Sequence, residues 1–560
     1  MNVLGIGGLG YKDSSAALLS DGRVVAAAAE ERFTGTKHQG GFPHEAVRFC
    51  LGRAGIMLRD LEAVAVAGNP WLPMREKVMK WYGEGFLKSR TANVYRIFQD
   101  EGHQLVDYLR TLEEIADAGV EVEEVRHVLS HMAAAALASP FETAAVLCLD
   151  GRGEISTTGY GRVAGLELET YAMARMPDSL GLLYALVADH LGFSDLDDEF
   201  RLISISPTGT PSLLEPMRRL VRVAGDATYT LNPDYFGYHQ GRAYLSERFA
   251  AEFGPPRPPN LPLEDRHRDV AASLHAVILE VVLLMARKAR ERSGQPRLCL
   301  AGSLAQNWAL VGAICEAGLF EDIYVPPAPG DDGIALGAAL HLYHAERGRP
   351  RVQPLLRADL GPAYPEREIA DEVARLKLKP QKPADLVSAV AERIARGEIV
   401  GWFQGGAEFG PRALGHRSIL ADPTNPATRA RLVASVKARS EVHPFGLSVA
   451  REAVATLFDD VTESPFLERT GRLREAVRAQ LPAVASPNGR TRVQVVDASR
   501  QPLFHKVLVA LGARDGVPAA LNTSLNEAGR PIATSPRDAI ACLYTSGLDA
   551  LALGPFVLAK

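Results

Sequence analysis

Apolar and polar positions alternate with turn signals from the first residue of the chain. Residues 3–7, 15–19 and 23–29 are small apolar runs of strand length, joined by a glycine-rich turn and by Asp21-Gly22, and they predict three short strands. A helical period over 43–54 and another strand over 63–67 follow. The order then returns: 144–149 reads as a strand ending in Asp150-Gly151, with further strands at 155–162 and 166–171. Two strand-turn-strand-strand units, each opening with glycine and aspartate, predict an internally duplicated α/β fold with a nucleotide cleft between its halves.

That pattern is the actin- and hexokinase-like architecture. Between the two units, 71–117 reads as a helical insertion, and helices are predicted at 178–192, 213–223 and 265–292. A strand, a glycine turn and a helix are expected over 298–310, and a loop and a helix over 324–343. Proline and basic residues thicken over 349–365, a linker composition. The expected division is a domain over 1–352, a linker over 353–378 and a second α/β domain over 379–560.

Length and charge then narrow the function classes. A chain of 560 residues exceeds one core. A net charge of -5 argues against a bulk nucleic-acid binder and against tRNA as substrate. The five cysteines form no CxxC pair and read as reduced core residues of a cytoplasmic protein. The N-terminus reads as a strand rather than a signal peptide. The apolar run 271–285 is interrupted by His275 and Glu280, which makes it a core helix, so no membrane role is expected.

The richest chemistry lies in 400–444. A short strand breaks at Gly405-Gly406, and a second turn at Gly410-Pro411 leads directly to Arg412, then Arg417, Lys437 and Arg439. Glycine-freed amides beside guanidinium forks suit a phosphate or acyl phosphate. His127 and His131 are four apart in a helical run, so their imidazoles share a face. With Asp150 at a strand end and Asp331 in PPAPGDDG, they suit a first-row divalent metal: iron, zinc or manganese. Helix capping by Asp331 or Asp332 is the plainer alternative. Gly5 to Gly10 fits G-x-G-x-x-G, but a strand follows instead of a helix, so a tight turn near phosphates is the better reading. No Gly-Lys dipeptide occurs, which excludes a Walker-type loop. Gly302 before Asn307 is a further strand-turn-helix junction, where adenosine contact and close packing are equally good readings.

These residues resemble a known family, the carbamoyltransferases of the nodulation, cephamycin and tobramycin pathways. The motifs are DSSAALLSDGRVVAAAAEERFTGTKH (13–38), HVLSH (127–131), SLGLLY (179–184), PGDDGIALGAAL (329–340), EFGPRALGHRSILADP (408–423) and LNTSLN (521–526). The resemblance implies a TsaD-like N-terminal domain fused to a YrdC-like C-terminal domain. It implies carbamoyl adenylate made from carbamoyl phosphate and Mg-ATP, then carbamoyl transfer to a hydroxyl or amine of a small molecule. It also implies His127, His131, Asp150 and Asp331 as ligands of a divalent metal, iron first. Arg412, Arg417, Lys437, Arg439, Arg492, Asn522 and Ser524 would grip ATP and carbamoyl phosphate, and Gly302 and Asn307 the adenylate. A homodimer is compatible with this reading.

The chain departs from the family in its motifs. Lys12-Asp13-Ser14 stands where relatives read His-Asp-Ser, making Lys12 and Asp13 the candidates for handling the acceptor's proton, with Arg201 in place of a catalytic-loop lysine. His443, Asn488 and Arg530 replace an arginine and two carboxylates. The alternatives are altered acyl-adenylate chemistry and a non-catalytic partner of an active paralogue. The acceptor pocket is expected along 71–117 and 211–236.

Overall fold

Strands β1 (Asn2–Gly7), β2 (Ser15–Ser20) and β3 (Arg23–Ala29) form an antiparallel meander. β4 (Ala63–Ala67) and β5 (Glu121–Val125) extend it in parallel on the other side of β1, giving the order 3-2-1-4-5. This computed structural model describes residues 1–8, 12–69, 115–193, 199–236, 245–437 and 445–560, with scattered positions between 106 and 113. Most of the insertion 71–117, and Arg439 with His443, therefore lie outside the described residues.

The second sheet repeats the first. β6 (Thr143–Leu149), β7 (Ser156–Ala164) and β8 (Glu167–Arg175) form the meander. After a small ribbon of β9 (Val221–Val223) and β10 (Tyr229–Leu231), β11 (Arg297–Ala301) and β12 (Asp322–Tyr324) add in parallel beyond β6. The order β8-β7-β6-β11-β12 has the connectivity of β3-β2-β1-β4-β5, so the N-terminal domain is the duplicated actin- and hexokinase-like fold. One expected element is corrected. The stretch 213–223 is not one helix: helix Leu214–Arg218 stops, and Val221–Val223 turns into β9 because it pairs with Tyr229–Leu231.

Period-2 alternation explains the packing. In the first sheet Val3, Ala17, Leu19, Ala63 and Ala65 face a central core, while Leu4, Ile6, Leu18, Val64 and Val66 face an outer one. In the second sheet Val146, Cys148 and Cys299 face the same central core, while Leu147, Leu149 and Leu300 pack on the long helix Asp265–Ser293. That helix has the length and hydropathy of a membrane span, yet most of its apolar window is buried inside the protein. Helices His127–Ala136 and Ile334–Leu340 lie between the two sheets in the central core.

The C-terminal domain is one mixed sheet. Its strands are β13 (Val400–Phe403), β14 (Arg417–Ala421), β15 (Gly446–Ala450), β16 (Arg469–Arg472), β17 (Arg490–Val496), β18 (Ala519–Ser524), β19 (Ala550–Leu553) and β20 (Phe556–Ala559). They run in the order β16-β17-β15-β18-β14-β13-β19-β20. The stretch 353–378 carries helix Glu366–Arg375, whose Ile369 and Val373 are buried in this domain's core.

Glycine sets how closely the central helices approach. A Cβ on Gly337 would lie 1.8 Å from the carbonyl oxygen of Ser130, and one on Gly5 1.8 Å from that of Ala335. In an exposed helix, glycine to alanine gains about 1 kcal/mol. Gly337→Ala should instead destabilise the protein by about 2 kcal/mol, read as a lower urea midpoint with an unchanged m-value.

Candidate functional site

His127 is the first residue of its helix and His131 lies one turn on, so both rings point the same way, with centroids 4.7 Å apart. Asp150 follows the last residue of β6, and Asp331 opens the turn into helix Ile334–Leu340. The close approach through Gly337 brings these pieces together. His127 Nε2 lies 3.1 Å from His131 Nε2 and 3.1 Å from Asp150 Oδ2. Asp331 Oδ1 lies 3.4 Å from His127 Nε2 and 3.3 Å from His131 Nε2.

These distances test the fit to a metal. Donors about 2.1 Å from one ion stand about 3.0 Å apart at cis octahedral angles and about 3.4 Å apart at tetrahedral ones. The four closest gaps fall in or beside that interval. Two imidazoles and two carboxylates therefore fit a divalent first-row ion. Only Asp331 has notable exposure, 22% of its side chain against 2% or less for the other three, so the cluster opens on its side.

Charge follows the same geometry. Burial opposes the charged form of His127, but hydrogen bonds to Asp150 and Asp331 outweigh it and carry its pKa well above the ordinary value. Burial likewise opposes the Asp150 carboxylate, and the imidazoles of His131 and His127 bring its pKa far below the usual range. The pKa of Asp331 also falls: burial and Asp150 oppose its charge, and hydrogen bonds from the two histidines prevail.

Supporting residues hold the donors. Ser303 N–H donates to Asp150 Oδ1 at 3.1 Å, and Gly151 N–H donates to Ser303 Oγ at 2.9 Å. Glu154 accepts from His127 N–H at 3.0 Å and Asn69 N–H at 2.9 Å, capping the histidine helix. Gly302 has φ +92°, and a Cβ there would lie 2.3 Å from the carbonyl of Leu149, so only glycine fits behind Asp150. Neither Glu154 nor Ser303 was singled out from sequence. Glu154 caps a helix that begins 27 residues earlier, and no local pattern announces such a cap.

The described basic residues expected to grip ATP and carbamoyl phosphate divide into three groups. Arg417 is fully buried over the Phe403 ring, with its guanidinium 3.6 Å from the centroid, and donates to the carbonyls of Gln404, His416, Pro362 and Gly405. Its charge holds backbone together. Lys437 Nζ donates to Ser524 O at 2.6 Å, Ser524 Oγ at 3.1 Å and Asn526 Oδ1 at 2.6 Å. Asn522 Nδ2 donates to Ser448 Oγ at 3.0 Å, and its buried Oδ1 has no hydrogen-bond partner among the described residues. Asn526 was missed, although LNTSLN contains it.

Arg412 and Arg492 form the third group, at the junction of the domains. The Gly410-Pro411 turn presses on the N-terminal domain: a Cβ on Gly410 would lie 2.2 Å from the carbonyl of Pro327, and Arg32 Nη2 donates to Gly410 O at 2.7 Å. Arg412 then donates to Gln306 O at 3.2 Å, and Arg412 and Arg492 stand 5.4 and 4.4 Å from the Trp308 ring centroid. Burial lowers the pKa of both guanidiniums; Asp332 partly offsets this for Arg412, while Arg412 itself adds to it for Arg492. Asn307, beside Trp308, caps the helix Trp308–Glu316 through Oδ1, and its buried Nδ2 has no hydrogen-bond partner among the described residues. Asp332 and Glu468 act on these guanidiniums, and two cations that oppose each other's charge suit an anion between them.

The three residues expected to be catalytic stand on two separate stretches of chain, 12–13 and 199–205. Lys12 is exposed, Asp13 is hydrogen-bonded to His38, and Arg201 lies on helix Glu199–Ile205 near Arg257. A cavity of about 390 Å³ lined by Leu355, Leu356, Asp359 and Arg500 contains none of these clusters.

Comparison with known proteins matches both halves. The family described as carbamoyltransferase N-terminus covers residues 2–340, and carbamoyltransferase C-terminus covers 391–560. The uncharacterized protein sll1178 of Synechocystis sp. is 34% identical, with 100% of this chain and 97% of the relative covered. Nodulation protein NolNO of Sinorhizobium fredii is 33% identical over 98% of this chain and 79% of its own length. The 3'-hydroxymethylcephem-O-carbamoyltransferase of Amycolatopsis lactamdurans is 31% identical over 47% of this chain and 48% of its own.

His131→Ala should abolish stoichiometric binding of Fe(II), Zn(II) or Mn(II), measured by elemental analysis after desalting. Ser303→Ala should keep the ion with its affinity within a few-fold, because the N–H that donates to Asp150 Oδ1 belongs to the backbone and survives the substitution.

Proposed function

From the premise that the chain belongs to the carbamoyltransferase family, we propose that it takes the carbamoyl group from carbamoyl phosphate through carbamoyl adenylate to a hydroxyl or amine of a small molecule. ATP and carbamoyl phosphate react in the C-terminal domain around Lys437, Ser524 and Asn522. Carbamoyl adenylate then crosses the junction past Arg412, Arg492 and Trp308 to the side of Asp331. The observation that carries this reading is the docked Gly410-Pro411 turn, which puts a C-terminal arginine on the N-terminal Gln306 carbonyl. An activated carbamate hydrolyses readily, so an enclosed route limits its loss to water.

Each group has a part. Arg412 and Arg492 neutralise the phosphate between the domains, and Trp308 gives them a flat apolar wall. Asn307 Nδ2 supplies a hydrogen bond to the nucleotide. Arg417 and Glu408 keep the 408–417 loop in shape, Glu408 Oε1 accepting from Leu414, His416 and Arg417 N–H at 2.7, 2.9 and 3.1 Å. His127, His131, Asp150 and Asp331 would hold the divalent metal, iron first, which when bound supplies Lewis-acid polarisation of a carbonyl or phosphoryl oxygen. The reaction belongs to small-molecule biosynthesis in the cytoplasm.

Purified protein given ATP and carbamoyl phosphate alone should release pyrophosphate, and carbamoyl adenylate should be detectable by mass spectrometry. Lys437→Ala should reduce that release about 10²-fold or more, whereas His131→Ala should leave it within a few-fold. No pyrophosphate from wild-type protein that still binds nucleotide would sink the proposal.

A further inference from the structure

A second histidine site lies apart from the metal cluster. His38 Nδ1 is 2.7 Å from Asp13 Oδ1, and both side chains are partly buried. Neither residue reached this contact by relaxed backbone: Asp13 has φ +61° and His38 φ +54°, the left-handed region that non-glycine residues avoid. Strain of this kind persists only where the surroundings over-determine it, and it gathers at working sites.

The bracing is visible. Ser14 N–H and Oγ both donate to Gln39 O, at 2.8 and 2.9 Å, and His38 N–H donates to Glu31 Oε2 at 2.9 Å. Glu31 pairs with Arg32 at 3.0 Å, and Arg32 reaches the Gly410 carbonyl of the other domain at 2.7 Å. The dyad is thus tied to the turn that carries Arg412. The strand that precedes the dyad packs on the helix that follows Asp331. A Cβ on Gly7, at the end of β1, would lie 2.9 Å from Ala335 N, and the Asp13 charge acts on Asp332, the neighbour of Asp331. The charged groups that contact His38 are Asp13, at Nδ1, and Glu31, at the backbone N–H, with Lys37 adjacent in sequence.

We infer that His38, oriented by Asp13, is the proton acceptor for the hydroxyl that receives the carbamoyl group, in place of Lys12. The inference rests on the carbamoyl-adenylate reading above. With Nδ1–H donating to Asp13, the lone pair resides on Nε2, the arrangement in which a carboxylate fixes the tautomer of a basic histidine. The hydroxyl proton passes to Nε2 as the hydroxyl oxygen bonds to the carbamoyl carbon. The bond from that carbon to the phosphate oxygen breaks, and AMP leaves with the electron pair. Lys12 is solvent-exposed, and a lysine serves as base only when burial or a neighbouring cation strips its proton.

The test uses the full chain loaded with Fe(II), given ATP and carbamoyl phosphate, with two probes. Hydroxylamine attacks without a general base; a panel of hexoses and polyols at high concentration needs one. His38→Gln should lose about 10²-fold or more in kcat toward hydroxyl probes, with KM held, while carbamoylation of hydroxylamine stays within about threefold, well under that loss. In His38→Ala, added imidazole should restore part of the hydroxyl transfer. Equal loss toward both probes, no loss, a larger loss in Lys12→Gln, or wild-type transfer to hydroxylamine but to no hydroxyl probe would each overturn the inference. Absence of pyrophosphate release in the wild type would instead overturn the underlying reading.

Discussion

Backbone-to-backbone contact at glycine is the constraint on which this site depends. Gly337 lets helix Ile334–Leu340 touch the Ser130 carbonyl of the histidine helix, and Gly5 lets β1 touch the Ala335 carbonyl from the other side. A methyl group at either position would sit inside the van der Waals radius of an oxygen, and close-packed interiors cannot absorb such a displacement locally. Because Asp331 and the two histidines ride on those two helices, a helix separation larger by an ångström would spread donors that now stand 3.1 to 3.4 Å apart. The spacing of the four donors is therefore a consequence of core packing.

A charge imbalance runs alongside. The donor cluster concentrates two carboxylates on two imidazoles, while the junction concentrates the guanidiniums of Arg412 and Arg492 on Trp308. Buried cations facing each other are costly unless an anion joins them. Asp332 links the two regions, since its charge acts on Arg412 and its neighbour Asp331 completes the metal cluster.

Sequence patterns reached far into this arrangement where the physics is local. The two strand repeats were legible because buried strands alternate with period 2, and the i, i+4 histidines because a helix turns every 3.6 residues. Glycine before arginine marked the loop at 410–412. The reading was weaker where side chains settle accounts with distant backbone. Arg417 has the residue type of an anion binder, yet four carbonyls and the Phe403 face use its guanidinium. Glu154, Ser303 and Asn526 carry no periodic signal, and His38 gained meaning only through its contact with Asp13.

What the sequence by itself determined is the duplicated α/β plan, the carbamoyltransferase motifs and the four donor residues, because hydrophobic period and turn chemistry are properties of neighbours along the chain. Only the tertiary structure decided which cations face the domain junction, which are consumed inside the C-terminal core, and which histidine meets Asp13. Those outcomes depend on how two sheets and their helices approach in space, and burial, which changes what a charge is worth, is decided by that approach rather than by any stretch of residues.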